Sequence, residues 1–139
     1  MSLDIKTKAV AETSFLHLKD AQDNLLYTDK KGEKQPVGVN VYGPGSREYQ
    51  AAQTKVSNRA VQRLQKRGKF EQSADEKKKE QAEFLADITQ SFQNLAYDDL
   101  QGRALAVAVY SDSTLGFIAD QVSEHTKEWA NFSQGSLTS

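Results

Sequence analysis

Apolar residues alternate strictly in one stretch of this chain, Pro36-Val37-Gly38-Val39-Asn40-Val41-Tyr42, where Val37, Val39 and Val41 fall on one face of an extended segment. The spacing predicts a strand with one buried face. Ahead of it, Phe15, Leu16 and Leu18 crowd into Ser14 to Lys19, the turn-rich Asp20 to Asn24 interrupts, and Leu25-Leu26-Tyr27 resumes the apolar run. That pattern predicts a hairpin, with Thr28 to Gln35 as a polar loop leading into the third strand. Residues 1–13 mix charge and small side chains without a period and are expected to form a flexible arm.

Beyond Gly43-Pro44-Gly45 the spacing changes to three and four. Ser46 is placed to cap a helix from Arg47 to Arg67 closed by Gly68, with a narrow apolar stripe of Tyr49, Ala52, Val56, Ala60 and Leu64. Ser73 and Glu76 form a capping box for a second helix, whose expected face is Leu85, Ile88, Phe92 and Leu95, ending near Tyr97. Arg103 to Tyr110 has helix-forming composition and breaks at Ser111-Asp112-Ser113, where Asp112 or Ser113 would cap a last helix carrying Leu115, Ile118, Ala119, Val122 and Trp129. The fold class expected is therefore α+β: a small N-terminal antiparallel β-sheet of about three strands, followed by three to four α-helices. One domain over 14–133 and a flexible tail over 134–139 complete the expected organisation.

The length of 139 residues suits one core, and 37% apolar against 27% charged residues leaves a strongly wetted surface. Lys and Arg number 18 against 19 Asp and Glu, so the net charge of -1 creates no overall field toward nucleic acid or an anionic membrane. No apolar run approaches the length of a membrane span, and the first residues lack the layout of a signal peptide. With no cysteine there is no thiolate zinc site and no cysteine nucleophile, and a cytoplasmic location is the expectation.

Few residues invite catalytic readings. His17 and His125 are the two histidines, and a metal site would require both to converge with a carboxylate; ordinary surface or half-buried histidines are the plainer reading. No Gly-x-Ser-x-Gly elbow occurs. Gly43-Pro44-Gly45-Ser46 lies between strand and helix, where phosphate loops live, but it matches neither the P-loop nor the dinucleotide spacing, and a sharp turn with an N-cap accounts for it. No enzyme activity and no cofactor are expected.

Charge patterning says more. Lys55, Arg59, Arg63 and Arg67 recur four apart and form a basic ridge, which could track a phosphate backbone but has no interleaved aromatics for stacking. Protein contact is preferred over nucleic acid, with the acidic C-terminal third as the complementary surface. Lys77-Lys78-Lys79, among Glu76, Glu80 and Glu83, reads as a solvated helix face. Near the end, Phe117, Trp129 and Phe132 concentrate large apolar groups. Phe117 and Trp129 lie about 120° apart on a helix, so one of these aromatics is expected to be free for a partner.

Asp23-Asn24-Leu25-Leu26-Tyr27, the run from Pro36 to Ser46, and the closing Ala108-Val109-Tyr110-Ser111-Asp112, Gly116-Phe117-Ile118-Ala119 and Trp129-Ala130-Asn131-Phe132 together resemble proteins of the tail assembly chaperone type from tailed bacteriophages and prophages. The resemblance implies a non-enzymatic role in the host bacterial cytoplasm: binding the tape measure protein and tail tube subunits, or self, while the tube polymerises. Family members of this type are largely helical, so a three-stranded front module departs from them. A structural virion component (head, neck or tail) is the alternative, and a nucleic-acid-associated protein using the basic helix 46–69 is a second.

Overall fold

The computed structural model describes residues 2–68 and 71–133. Within them the chain is a mixed α+β fold whose first four strands precede the α-helices and whose fifth strand falls among them. β1 (Thr13–His17), β4 (Gly38–Tyr42) and β5 (Thr89–Gln93) form an antiparallel sheet in the order β1-β4-β5, and β2 (Tyr27–Lys30) pairs with β3 (Glu33–Pro36) in a separate two-stranded ribbon. Four α-helices accompany them, two on each side of β5 in the chain: α1 (Arg47–Arg67) and α2 (Ala74–Asp87) before it, α3 (Gly102–Ser111) and α4 (Gly116–Lys127) after it.

The period-two run sits where its pattern requires. Val39 and Val41 are wholly buried in the central strand β4, opposite Leu16 and Ser14 of β1, while Val37 is half-buried between β3 and β4. The core they enter also holds Leu18, Leu85, Ile88, Val109, Val122 and Phe132. Phe132 reaches it from a short 3-10 turn, Trp129–Phe132, and covers Gly43 so closely that a Cβ at position 43 would lie 2.4 Å from its ring. Only glycine fits there.

Two expected boundaries are corrected. The segment Thr28 to Gln35 is the β2–β3 hairpin rather than a loop: Lys31 and Gly32 have φ of 55° and 81°, the two positive values of a type I′ turn, which matches strand twist. Leu25 and Leu26 contribute a single bridge, Lys19 to Leu25, and no strand, because the Asp20 carboxylate accepts from the backbone N–H of Gln22 and of Asn24 and bends the chain tightly. The second correction concerns α2, which stops at Asp87, so that Phe92 lies in β5 and Leu95 beyond it. The Thr89 hydroxyl donates to the Leu85 carbonyl at 2.8 Å, and β4 takes the following segment as its second partner. Spacing of four serves a strand face as well as a helix face, which is why Ile88 and Phe92 read as helical in sequence.

The remaining helices begin and end as signalled except the last, which is shorter than expected: α4 starts only at Gly116 and stops at Lys127, so that Leu115 precedes it and Trp129 falls in the 3-10 turn after it. Ser46 accepts from Tyr49 N–H, Ser73 from Glu76 N–H, and Gly68 closes α1 in the left-handed conformation. Asp112 caps the 3-10 turn Ser113–Leu115 that leads into α4. Residues Ile5–Lys8 form a 3-10 turn, and the chain after it is tied down where Ala11 N–H donates to the Phe132 carbonyl and Gly43 N–H to the Glu12 carbonyl. The expected tail 134–139 lies outside the described residues. No helix among those described is long and apolar enough to cross a membrane.

Candidate interaction surfaces

Helix α1 is about 32 Å long and, among the described residues, has one substantial packing partner, α2. Ala52 is its single buried residue, and Tyr49 meets Phe84 edge to face with ring centroids 5.6 Å apart. The two helices form an antiparallel hairpin, the arm, and the basic ridge runs along the side of α1 that meets α2. Lys55 pairs with Asp87 at 3.5 Å, Arg59 with Glu83 at 2.8 Å, Arg63 with Glu80 at 3.3 Å and Arg67 with Glu76 at 2.9 Å. Every ridge residue is thus matched by an acid from α2.

This overturns one sequence-level expectation and refines another. The complement of the basic ridge is α2, not the acidic C-terminal third; Lys77, Lys78 and Lys79 do stand on an exposed face, while the flanking Glu76, Glu80 and Glu83 turn to α1. The register explains it: in an antiparallel hairpin, cations four apart on one helix meet acids three or four apart on the other. Arg67 approaches both oxygens of Glu76, and this contact holds the Glu76 carboxyl below its usual range. Asp87 also accepts from Arg103, which ties the foot of the arm to α3. Gln72 bonds Glu80 from the connecting segment, and Lys78 reaches Ser113.

The three aromatics separate. Phe132 is wholly buried and Phe117 is half-buried against the core, so neither offers a full side chain to a partner. Trp129 is 56% exposed. Its turn is rigidly held: Asn131 N–H donates to the Glu128 carbonyl, the Asn131 side chain donates to the His125 carbonyl at 3.0 Å, and Phe132 anchors the far end. Other large apolar side chains left in water include Leu3, Ile5, Val61 and Leu64.

His17 and His125 open onto one shallow groove with Asp23, Asp120, Glu124 and Glu128. Each is nevertheless taken up locally. His17 Nε2 donates to the Leu26 carbonyl at 2.8 Å, and its ring meets Tyr27 edge-on. His125 shares a hydrogen bond of 3.1 Å with the buried Ser14 hydroxyl and stacks edge to face on Phe132, and burial lowers its pKa. Among the described residues no three His, Cys, Asp or Glu side chains gather in a way that could hold a metal ion. The Gly43 to Ser46 segment is a turn and cap: the Ser46 hydroxyl donates to the Gly43 carbonyl and accepts from Tyr49 N–H.

Sequence reasoning missed a further feature, the segment between β5 and α3. Asn94, Asp98 and Gly102 all have positive φ there, and two side-chain bonds pin it: Asn94 Nδ2 to the Pro36 carbonyl at 2.9 Å and the Tyr97 hydroxyl to Asp112 at 2.8 Å. Hydrogen bonds from Thr114 and Tyr97 keep the Asp112 carboxyl below its usual range, and the same contact raises the Tyr97 phenol. The signal was present in Asn94 and Asp98, residue types that tolerate left-handed backbone, but the expected helix across 88–97 masked it.

Compared with known protein families, curated proteins and solved structures, the chain shows no match.

Proposed function

We propose that this protein is an assembly factor of the phage or prophage tail chaperone type, working by reversible protein contacts with tail proteins such as the tape measure or tail tube subunits, or with its own copies. The observation that carries this reading is Trp129, a large aromatic 56% exposed on a turn fastened to the core by Phe132. An exposed aromatic on a rigid support loses little freedom when a partner covers it, which is the character of an interface anchor. The sequence resemblance supplies the partner class. The nucleic-acid reading loses support because Lys55, Arg59, Arg63 and Arg67 all pair with α2, so phosphate contact would first have to break those pairs.

The test is co-expression with tape measure and tail tube subunits, followed by capture. Trp129→Ala is expected to leave the melting temperature nearly unchanged while weakening capture or self-association about tenfold, the scale of an interface anchor. Unaltered capture by that variant would remove Trp129 as the anchor and the observation behind this reading.

A further inference from the structure

The two edges of the sheet are treated differently. On the β1 side, α4 reaches the edge strand at both ends. The His125 ring bonds Ser14, and the Gln121 side chain engages the backbone of Lys19 just past β1: its oxygen accepts from Lys19 N–H at 2.8 Å and its nitrogen donates to the Lys19 carbonyl at 2.8 Å. An amide paired this way occupies the donor and acceptor of Lys19 that a strand running past the end of β1 would use.

On the other side β5 has no such cover. It bonds β4 along its inner edge, and among the described residues the segment 95–101 makes no backbone hydrogen bond to it. The outer edge instead borders a cavity of about 680 Å³ between β5, this segment and the start of α3. Phe92, Leu95 and Leu105 give it apolar walls, and Leu100 stands 38% exposed at the rim. The bonds from Asn94 to Pro36 and from Tyr97 to Asp112 hold the wall in place without a ligand. The rim is acidic: Asp98 and Asp99 line the cavity and enter no ion pair among the described residues, whereas Arg103, the cation beside them, is engaged by Asp87.

We propose that β5 is a strand-addition site, where an extended segment of a partner protein, apolar at alternate residues and carrying Lys or Arg, pairs with the free edge and lays its side chains into the groove walled by Phe92, Leu95 and Leu105. Backbone pairing gives the attachment, and alternate side chains entering a groove give selectivity. The charge of the occupant follows from Asp98 and Asp99, which favour a cation at the rim and disfavour an acidic segment. This inference deepens the protein-contact reading by naming a surface distinct from Trp129 and the form of the client chain.

The probe is an end-capped peptide of alternating Thr and Val ending in two lysines, added to the full chain. It is followed by amide chemical shifts and hydrogen exchange. Weak binding of roughly 100 µM is expected, because a short flexible peptide with few anchors spends much of its contact energy on ordering, with slowed exchange confined to β5 and shifts in the 94–103 segment. N-methylation of alternate peptide amides on the pairing edge should abolish it. Asp98→Asn with Asp99→Asn, two exposed positions where Asn tolerates the backbone, should weaken binding about tenfold with an unchanged melting temperature. Equal binding by the N-methylated peptide, shifts centred on Trp129 or the arm, or no binding at millimolar peptide would each overturn the site. Shifts at Trp129 would do so while leaving the protein-contact reading intact. Slowed β5 exchange that grows with protein concentration and needs no peptide would overturn the peptide assignment and give the edge to a second copy.

Discussion

The sheet-bearing body and the α1–α2 arm solve the same problem with opposite chemistries. In the body, Leu18, Val39, Val41, Ile88, Val122 and Phe132 are almost entirely removed from water, and few charges take part. In the arm, the longest helix buries one alanine and is matched to its neighbour by four ion pairs, while Val61 and Leu64 remain 49% and 39% exposed. Apolar burial is nondirectional and insensitive to salt, whereas exposed pairs contribute roughly 0 to 1 kcal/mol each and are screened. The body should therefore behave as the cooperative unit, and the arm as the part that opens first and sets its own register by charge order.

The largest effect expected within this contrast is at Phe132, where truncation to Ala removes a fully buried ring from the joint of β1, β4 and α4. A loss of about 3 to 5 kcal/mol in urea unfolding is expected, against less than about 0.5 kcal/mol for the exposed Trp129→Ala. Equal losses would mean that the exposed ring is part of the core after all. In the arm, Arg63→Glu places two acids together at the least exposed pair and should cost about 1 to 2 kcal/mol. Adding Glu80→Arg should restore most of it, a recovery that measures register by charge and that simple surface repulsion at one site would not show. Smaller still is the salt response: raising sodium chloride from about 0.05 to 0.5 M should speed amide exchange along α1 a few fold while leaving Val39 and Val41 unchanged. A uniform response would erase the distinction between the two regions.

The smallest effect is a pH dependence confined to the body. Burial places the folded-state pKa of His125 below its unfolded value. The folded state then favours the neutral ring, so its contribution is fully present above the unfolded value of about 6.5 and is lost as pH falls through that value toward the lowered one. His125→Gln, which keeps a polar group beside Ser14, should flatten the stability profile between about pH 7 and 5. If the slope persists in that variant, another group carries it.

Much of this architecture was legible in the chain because its signals are local. Ser46, Gly68 and Ser73 terminate helices through bonds to their own neighbours, and the alternation of Val37, Val39 and Val41 needs no knowledge of the rest of the fold. What was hidden depends on pairing across the sequence. Ile88 and Phe92 become a strand boundary and a strand residue because β4 requires a second neighbour about fifty residues away in the chain. The acids opposite Lys55, Arg59, Arg63 and Arg67 could not be told from those of the C-terminal third until the direction of the hairpin was known. Of the three aromatics, Trp129 and Phe132 are three residues apart and of similar character, and only the position of Gly43 decides which one the core takes.

The Gln121 amide clasping the backbone of Lys19 carries a consequence for how the protein can grow in company. A sheet open at both edges is a two-ended monomer, able to add copies on either side and so to propagate into fibres. In this sheet Gln121 takes up the donor and acceptor of Lys19, so a strand adding along β1 would lose its pairing just past His17, whereas among the described residues β5 carries no such block. Replacing Gln121 with Ala would free the Lys19 donor and acceptor and lengthen the edge open to pairing, and slow, concentration-dependent aggregation rich in β-structure, seen as a rise in thioflavin fluorescence, is the expected symptom.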